Sequence, residues 1–214
     1  MVASATVAAP APPGLRERKK RQTRRALQDA ALALFGEQGY DGTTVEQIAE
    51  AADVSYRTFF RYFASKEEVL EADFSDLIER MTRAVTERGD APLFDTLVEV
   101  GTDMCREFEA RADFVLERNR VVLATPLLAA RVLLFQSELH AQVWDLLVGE
   151  MAVSAQDAVT IRVLMGAVNG VFDAALALFL ESEGEQGLLE LFDEGIRMIE
   201  PVARPVFDRL EHLR

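Results

Sequence analysis

The sequence predicts an all-α chain, with an N-terminal three-helix helix-turn-helix domain joined to a larger helical domain. Three observations predict this. Ala, Leu, Glu and Arg, all good helix formers, dominate a chain of 214 residues that is 50% hydrophobic, and strand signals are scarce. Apolar residues recur three and four positions apart along most of the chain. Helix-start signals also follow one another closely: Thr44 with Gln47, Ser55, and Ser65 with Glu68.

Residues 1–14, MVASATVAAPAPPG, are small and contain three prolines, so a disordered tail is expected there. They lack the charged start and apolar run of a secretory signal, which predicts a cytoplasmic protein. The single cysteine, Cys105, cannot form an intramolecular disulfide and fits a reducing compartment. With two histidines and one cysteine far apart, neither a metal site nor a cofactor is expected.

The formal net charge of −13 argues against a nucleic-acid partner until its distribution is examined. Residues 1–66 carry ten Lys/Arg against seven Asp/Glu, a net of +3. Residues 67–214 carry thirteen against twenty-nine, a net of −16. The basic end is the candidate for phosphate contact, and the acidic part reads as a soluble body. Residues 15–25, LRERKKRQTRR, hold seven bases and one acid. They are either a solvated, mobile arm or an extended arm or first helical turn that lies on phosphates.

From Gln22 the pattern becomes helical, with Ala26, Leu27, Ala30, Ala31, Leu34 and Phe35 on one face and Gly39 as the C-terminal stop. Thr44 caps a short helix whose inner face is Val45, Ile48, Ala49 and Ala52. The turn falls at Ala52-Asp53, where Asp tolerates the left-handed backbone better than most residues. Ser55 caps a second short helix. Its Phe59 and Phe63 lie four apart and face the core, which leaves Tyr56, Arg57, Thr58, Phe60 and Arg61 pointing outward. Arginines and aromatic rings at an exposed helix N-terminus suit groove reading. A long helix from Lys66 to about Arg88 follows, with a stripe of Leu70, Phe74, Leu77, Ile78, Met81 and Val85. Lys66 is either a solvated lysine or a phosphate contact at a helix start.

The run TTVEQIAEAADVSYRTFFRYFASKEEVL resembles the DNA-binding signature of TetR-type (tetracycline-repressor-like) transcriptional regulators. The resemblance covers about residues 20–71, with Asp53 in place of the usual turn glycine. The form RTFFRYF is similar to a branch whose members respond to acyl-CoA-like ligands. The resemblance implies a homodimer of nine or ten helices per subunit. Its domain at 15–65 binds operator DNA, and its domain at 66–214 binds an inducer and dimerises. By position it places Thr44, Tyr56, Arg57, Thr58, Phe60, Tyr62 and Lys66 at DNA contacts. Arg24, Thr43, Ser55 and Arg61 complete the candidate DNA-binding set.

In the acidic body, Gly89-Asp90-Ala91-Pro92 breaks the long helix, and helices are expected over 93–110, 111–124, 126 to about 150 and 154 to about 181. The last of these, VTIRVLMGAVNGVFDAALALFL, is apolar on nearly every side. Arg162, Asn169 and Asp173 interrupt it, so a helix buried against the core and a partner subunit is expected rather than a membrane span. Gly166 and Gly170, in G-x-x-x-G spacing, are candidates for the dimer interface, with Leu188, Phe192 and Ile196 of a final helix that Pro201 and Pro205 bend or end. Asn169 and Asp173 either bond internally or across the dimer, or one of them faces a ligand. Arg118, Arg120 and Arg131 either pair with nearby acids or meet the phosphates of an acyl-CoA-like ligand. Phe114, Phe135, Trp144, Met165 and Phe172 either line an apolar cavity or belong to the core.

The nucleophile-elbow, Walker, zincin and C-x-x-C motifs are absent, which argues against an enzyme. The expected function is a ligand-responsive repressor released from a palindromic operator by a small hydrophobic or acyl-CoA-like inducer. The alternative is a dimeric DNA-binding protein without a small-molecule ligand.

Overall fold

The computed structural model of the chain describes residues 14–148 and 154–211, with side chains for all of these except 17, 71–78, 139, 140, 147, 156, 210 and 211. The expected tail, apart from Gly14, and the apolar stripe residues Phe74, Leu77 and Ile78 lie outside the described set. Among the described residues there are nine α-helices and no strand. They are α1 (Leu15–Gln38), α2 (Val45–Ala51), α3 (Tyr56–Tyr62), α4 (Glu68–Glu87), α5 (Leu93–Glu109), α6 (Ala112–Ala124), α7 (Pro126–Val148), α8 (Ala155–Glu181) and α9 (Leu188–Glu211). The all-α reading holds. The chain divides into two compact units, one ending at Val69 and the other beginning at Leu70.

In the first unit, α1, α2 and α3 close around Leu27, Ala31, Phe35, Ile48, Ala49, Phe59 and Phe63, all buried. Full burial of an aromatic or branched side chain contributes about 1.5–3 kcal/mol, so the four-residue spacing of Phe59 and Phe63 fixes which side of α3 faces inward. Gly39 stops α1 with φ +80°, and its N–H donates to the carbonyl of Phe35 at 3.1 Å. Two helix starts differ from expectation. α1 begins at Leu15 rather than Gln22, so the basic segment is continuous helix and not an extended arm. α4 begins at Glu68 rather than Lys66. The Glu68 N–H donates to Ser65 Oγ at 3.4 Å, and the Glu68 carboxylate accepts from the backbone N–H of Ala64. This bonding holds residues 64–67 as a turn.

In the second unit, α9 packs against both α5 and α8. Two glycines permit this. A Cβ on Gly195 would lie 2.6 Å from Val171 Cγ1, and one on Gly101 would lie 2.5 Å from Phe192 Cζ. Polar links fix the ends of the layer. Glu109 Oε1, at the end of α5, accepts the N–H of Leu189 in the first turn of α9 at 3.0 Å. Arg204 Nη2 bonds Asp95 Oδ1 at 2.6 Å, and its Nε donates to Glu200 Oε1 at 2.9 Å. Those two bonds, Asp95 first, hold the Arg204 guanidinium protonated even more firmly than usual.

Pro201 and Pro205 do not end α9, which continues to Glu211. Both are exposed, on the side opposite the buried Ala203 and Phe207, so the carbonyls they deprive of N–H partners can be hydrated. Asp157–Glu181 of α8 has the length and composition of a membrane-crossing helix. Its Ile161, Leu164, Met165, Ala175 and Phe179 are nonetheless buried in the core of this unit.

Candidate nucleic-acid interface

The site is built from its helix caps. Thr44 Oγ accepts the N–H of Gln47 at 3.3 Å, and Gln47 Oε1 accepts the N–H of Thr44 at 2.9 Å, a reciprocal capping box that starts α2. Asp53 takes φ +53° in the turn. The N–H of Val54 then returns to the carbonyl of Ala49 at 2.9 Å. Ser55 Oγ accepts the N–H of Thr58 at 3.0 Å and shares a 2.8 Å hydrogen bond with the Thr58 hydroxyl. That cap sets the first turn of α3, and each cap of this type contributes about 1 kcal/mol.

With Phe59 and Phe63 buried, α3 presents a ridge of other side chains. Tyr56 is 51% exposed and Phe60 44%, and their rings meet edge to face at 4.9 Å. Phe59 braces Phe60 from beneath at 5.3 Å. Arg57 and Arg61 are exposed, and the Arg61 guanidinium lies 5.3 Å from the Tyr62 ring centre. Arg24 of α1 sits 5.7 Å from the centre of the Phe63 ring. The geometry therefore brings Tyr56, Arg57, Phe60 and Arg61 to one exposed face. Thr58 and Tyr62 stand half-buried beside it, and Thr44 and Ser55 are exposed at the helix starts with their oxygens engaged in capping.

Two candidates are placed elsewhere. Thr43 is buried, and its hydroxyl donates to the carbonyls of Gly39 at 2.9 Å and Leu34 at 3.3 Å, so it locks the α1–α2 connection. Lys66 Nζ donates to the carbonyls of Tyr40 at 2.7 Å and Thr43 at 3.0 Å and lies 4.0 Å from the Tyr40 ring centre. The lysine closes the same connection from the other side, and two of its three donors are already committed. A contributor that the sequence reading missed is Gln38. Its Nε2 donates to Gln47 Oε1 at 3.1 Å and to Thr43 Oγ at 3.3 Å, which buttresses the capping box. No local sequence signal marks it. Between α2 and α3 lies an open groove of about 490 Å³ lined by Glu46, Glu50, Asp53, Ser55 and Tyr56, so acids border the ridge.

In the second unit most residues expected at a ligand are committed to packing or ion pairs. Met165 is buried, and Phe172 meets Phe108 and Phe192 edge-on at 6.0 and 6.5 Å. Arg118 is buried against the Phe108 ring at 5.5 Å. Arg120 is exposed and pairs with Glu117 at 3.0 Å and Glu183 at 3.5 Å. Trp144 lies under Arg162 at 3.7 Å, and Phe114 under Arg111 at 3.9 Å. Arg131 and Asn169 are half-buried, whereas Asp173 is exposed, contrary to the expectation of apolar surroundings. Phe135 lines an opening. It borders a groove of about 670 Å³ between α4 and α7 with Glu79, Thr82, Arg83, Thr86, Glu87 and Gln142.

The interface candidates also divide. Gly166 and Gly170 are exposed, with nothing within 4 Å of where a Cβ would stand. Val159 and Val163 extend their open face along α8. Leu188, Phe192 and Ile196 point the other way and are buried in the core of their own chain, so they have no surface to offer a partner. The exposed apolar side of α9 is Met198 and Val202.

Cys105 is fully buried, and burial first, then the charges of Glu109 and Asp193, push its thiol up to about 12. A thiol held protonated in this way is an unreactive packing residue.

Residues 27–72 match the family model described as bacterial regulatory proteins, tetR family. Over 90 residues the chain is 53% identical to the HTH-type transcriptional regulator TcmR of Streptomyces glaucescens, covering 41% of this chain and 40% of that protein's length. It is 28% identical over 183 residues to the HTH-type transcriptional repressor AcnR of Corynebacterium glutamicum, covering 82% of this chain and 91% of that one. Among solved structures it resembles Thermus thermophilus FadR, a TetR-family transcriptional repressor in complex with lauroyl-CoA. That likeness has a TM-score of 0.50 and 21% identity over 83% of this chain and 93% of that chain, and it speaks to the fold alone.

Proposed function

We propose, from the premise that the chain belongs to the TetR family through its N-terminal unit, that it is a dimeric DNA-binding transcriptional repressor released from a palindromic operator by a small hydrophobic or acyl-CoA-like ligand. The observation that carries the DNA-binding part is the α3 ridge: Tyr56, Arg57, Phe60 and Arg61 face outward because Ser55 caps the helix and Phe59 and Phe63 anchor its other side. Guanidinium groups pair with guanine edges or phosphates, and the aromatic rings contact thymine methyls or sugars. The named relatives are regulators and repressors, which supports a regulator over an enzyme and a cytoplasmic site of action.

Dimerisation is supported by the open Gly166–Gly170 face, where a second α8 can approach closely. A two-fold dimer would place its two reading helices on half-sites one helical turn, or a multiple of it, apart. Release would then be a population shift toward a dimer whose reading helices no longer match that spacing. The acyl-CoA-like reading rests on the RTFFRYF form of α3. The packed state of Met165, Phe172 and Arg118 favours the second reading, a DNA-binding dimer with no small-molecule ligand.

Selection of duplexes from a random library, followed by the Tyr56→Ala/Arg57→Ala variant, tests the first part. The expected result is enrichment of a palindrome and loss of its binding in the variant, with the dimer intact. Unchanged affinity would sink the assignment of α3. Thermal-shift titration with acyl-CoAs against unrelated hydrophobic compounds separates the ligand readings.

A further inference from the structure

The charge of the first unit is divided within the unit itself. Residues 26–66, which contain the whole α2–α3 motif, carry three Lys/Arg against six Asp/Glu. One of the three, Lys66, is held by the Tyr40 and Thr43 carbonyls, and Glu46, Glu50 and Asp53 border the groove beside the ridge. From Thr43 to Lys66 the motif itself carries three Lys/Arg against three Asp/Glu, so the part that reads bases has no net positive charge. A duplex carries one negative charge per about 1.7 Å of axis, and neutralising those phosphates supplies the sequence-independent part of DNA affinity. The motif alone does not supply it.

Residues 15–25 do, with seven bases against one acid. These residues are the first three turns of α1, about 16 Å of helix at 1.5 Å per residue. Arg16, Arg18, Lys19, Lys20 and Arg21 are all exposed. As a free helix the segment is poorly built. Its N-cap, Gly14, makes no side-chain cap, and bases crowd the end of the helix where the dipole disfavours them. An anionic surface relieves each of these defects. The same residues contain one apolar side chain, Leu15, so they lack the apolar face an interfacial membrane helix needs.

We infer that the N-terminal three turns of α1 form a phosphate-tracking arm that lies on the duplex backbone and supplies most of the electrostatic affinity, while α3 supplies the sequence preference. This rests on the reading of the protein as a DNA-binding regulator.

The test uses the full chain and a labelled 30-base-pair mixed-sequence duplex. Affinity is measured by anisotropy between 50 and 200 mM KCl for the wild type and for Arg18→Gln/Lys19→Gln/Lys20→Gln/Arg21→Gln. With about 0.9 counterion released per phosphate contact, the variant is expected to lower the slope of log K against log salt by about 2–4, and to weaken binding at least tenfold at the lowest salt. Circular dichroism checks that the variant stays folded, and a second variant, Arg16→Gln/Arg25→Gln, gives an independent reading of the slope. On a library-selected duplex, both variants are expected to retain the wild-type ranking of base substitutions. An unchanged slope in both variants overturns the arm and leaves the α3 reading intact. Failure of the wild type to bind any duplex overturns both. Binding of the wild type to vesicles of anionic phospholipid more tightly than to the duplex, abolished by the same substitutions, also overturns the arm's assignment to DNA.

Discussion

Lys66 Nζ donates to the carbonyl oxygen of Tyr40 at 2.7 Å, joining the turn before α4 to the end of the α1–α2 connection. A second bond to the Thr43 carbonyl at 3.0 Å and the Tyr40 ring beneath the ammonium complete the clamp. Hydrogen bonds to a charged group contribute about 1.5–3 kcal/mol. Lys66→Met is therefore expected to lower the stability of the first unit by about 1–3 kcal/mol in urea denaturation. At matched folded fraction it should change duplex affinity by less than about threefold. A large affinity loss in a fully folded variant would restore Lys66 to the phosphate contacts.

Asp53 makes a separate backbone prediction. At φ +53° an L side chain is tolerated with strain, and Asp is among the better residues for it. Asp53→Gly is expected to match or slightly exceed the wild-type melting temperature. Asp53→Val, β-branched in the left-handed region, should cost about 1–3 kcal/mol. Equal stability of the two variants would show that this turn does not constrain the placement of α3.

Much of the first unit was legible because its signals are local. Thr44, Gln47, Ser55, Asp53 and the Phe59–Phe63 pair act within four residues of themselves, and each does in the structure what its spacing implies. The bonds of Thr43 to the Leu34 and Gly39 carbonyls, and of Lys66 to the Tyr40 and Thr43 carbonyls, depend on how the chain folds back, and no local spacing reveals them. In the second unit Gly166 and Gly170 carry a recognisable spacing, but the glycines that let helices touch within the chain are Gly101 and Gly195. Neither belongs to a motif, and only the facing Phe192 and Val171 reveal them. Leu188, Phe192 and Ile196 share one stripe of α9, and a stripe does not disclose whether its cover is the same chain or another. Of the two expectations for the prolines, that they bend or end α9, the ending fails for a similar reason. Their cost depends on which side of the helix they occupy, and both lie on the exposed one.

The two classes of glycine give opposite predictions. Gly195→Ala sets a Cβ 2.6 Å from Val171 Cγ1 and should destabilise the second unit by about 1–3 kcal/mol without a specific effect on association. Gly166→Ala meets nothing within 4 Å in its own chain. It should raise helix stability by up to about 1 kcal/mol in the monomer while widening any close approach by a partner helix. Gly166→Glu should weaken the dimer more strongly. Sedimentation velocity combined with thermal melting separates these outcomes, and a fully dimeric Gly166→Glu protein would remove this face from the interface.

Cys105 predicts an alkaline limit to stability. Its thiol ionises at about 12 in the fold against an ordinary 9.0, because burial, and then Glu109 and Asp193, oppose the thiolate. The folded pKa is raised, so the unfolded chain releases this proton first as pH climbs. The associated stability is complete below pH 9 and is lost as pH rises from there toward 12. Between those limits the slope from one such group is about 1.4 kcal/mol per pH unit. Cys105→Ala removes the titration. Its cavity should lower stability at pH 8, but the gap to wild type should narrow as pH is raised through 10. Urea midpoints of the two proteins from pH 8 to 10.5 measure this directly, with the Tyr and Lys titrations common to both cancelling in the difference. Parallel curves would mean that the thiol ionises in the fold as readily as in the open chain, and fast alkylation of the native protein at pH 9 would accompany that result.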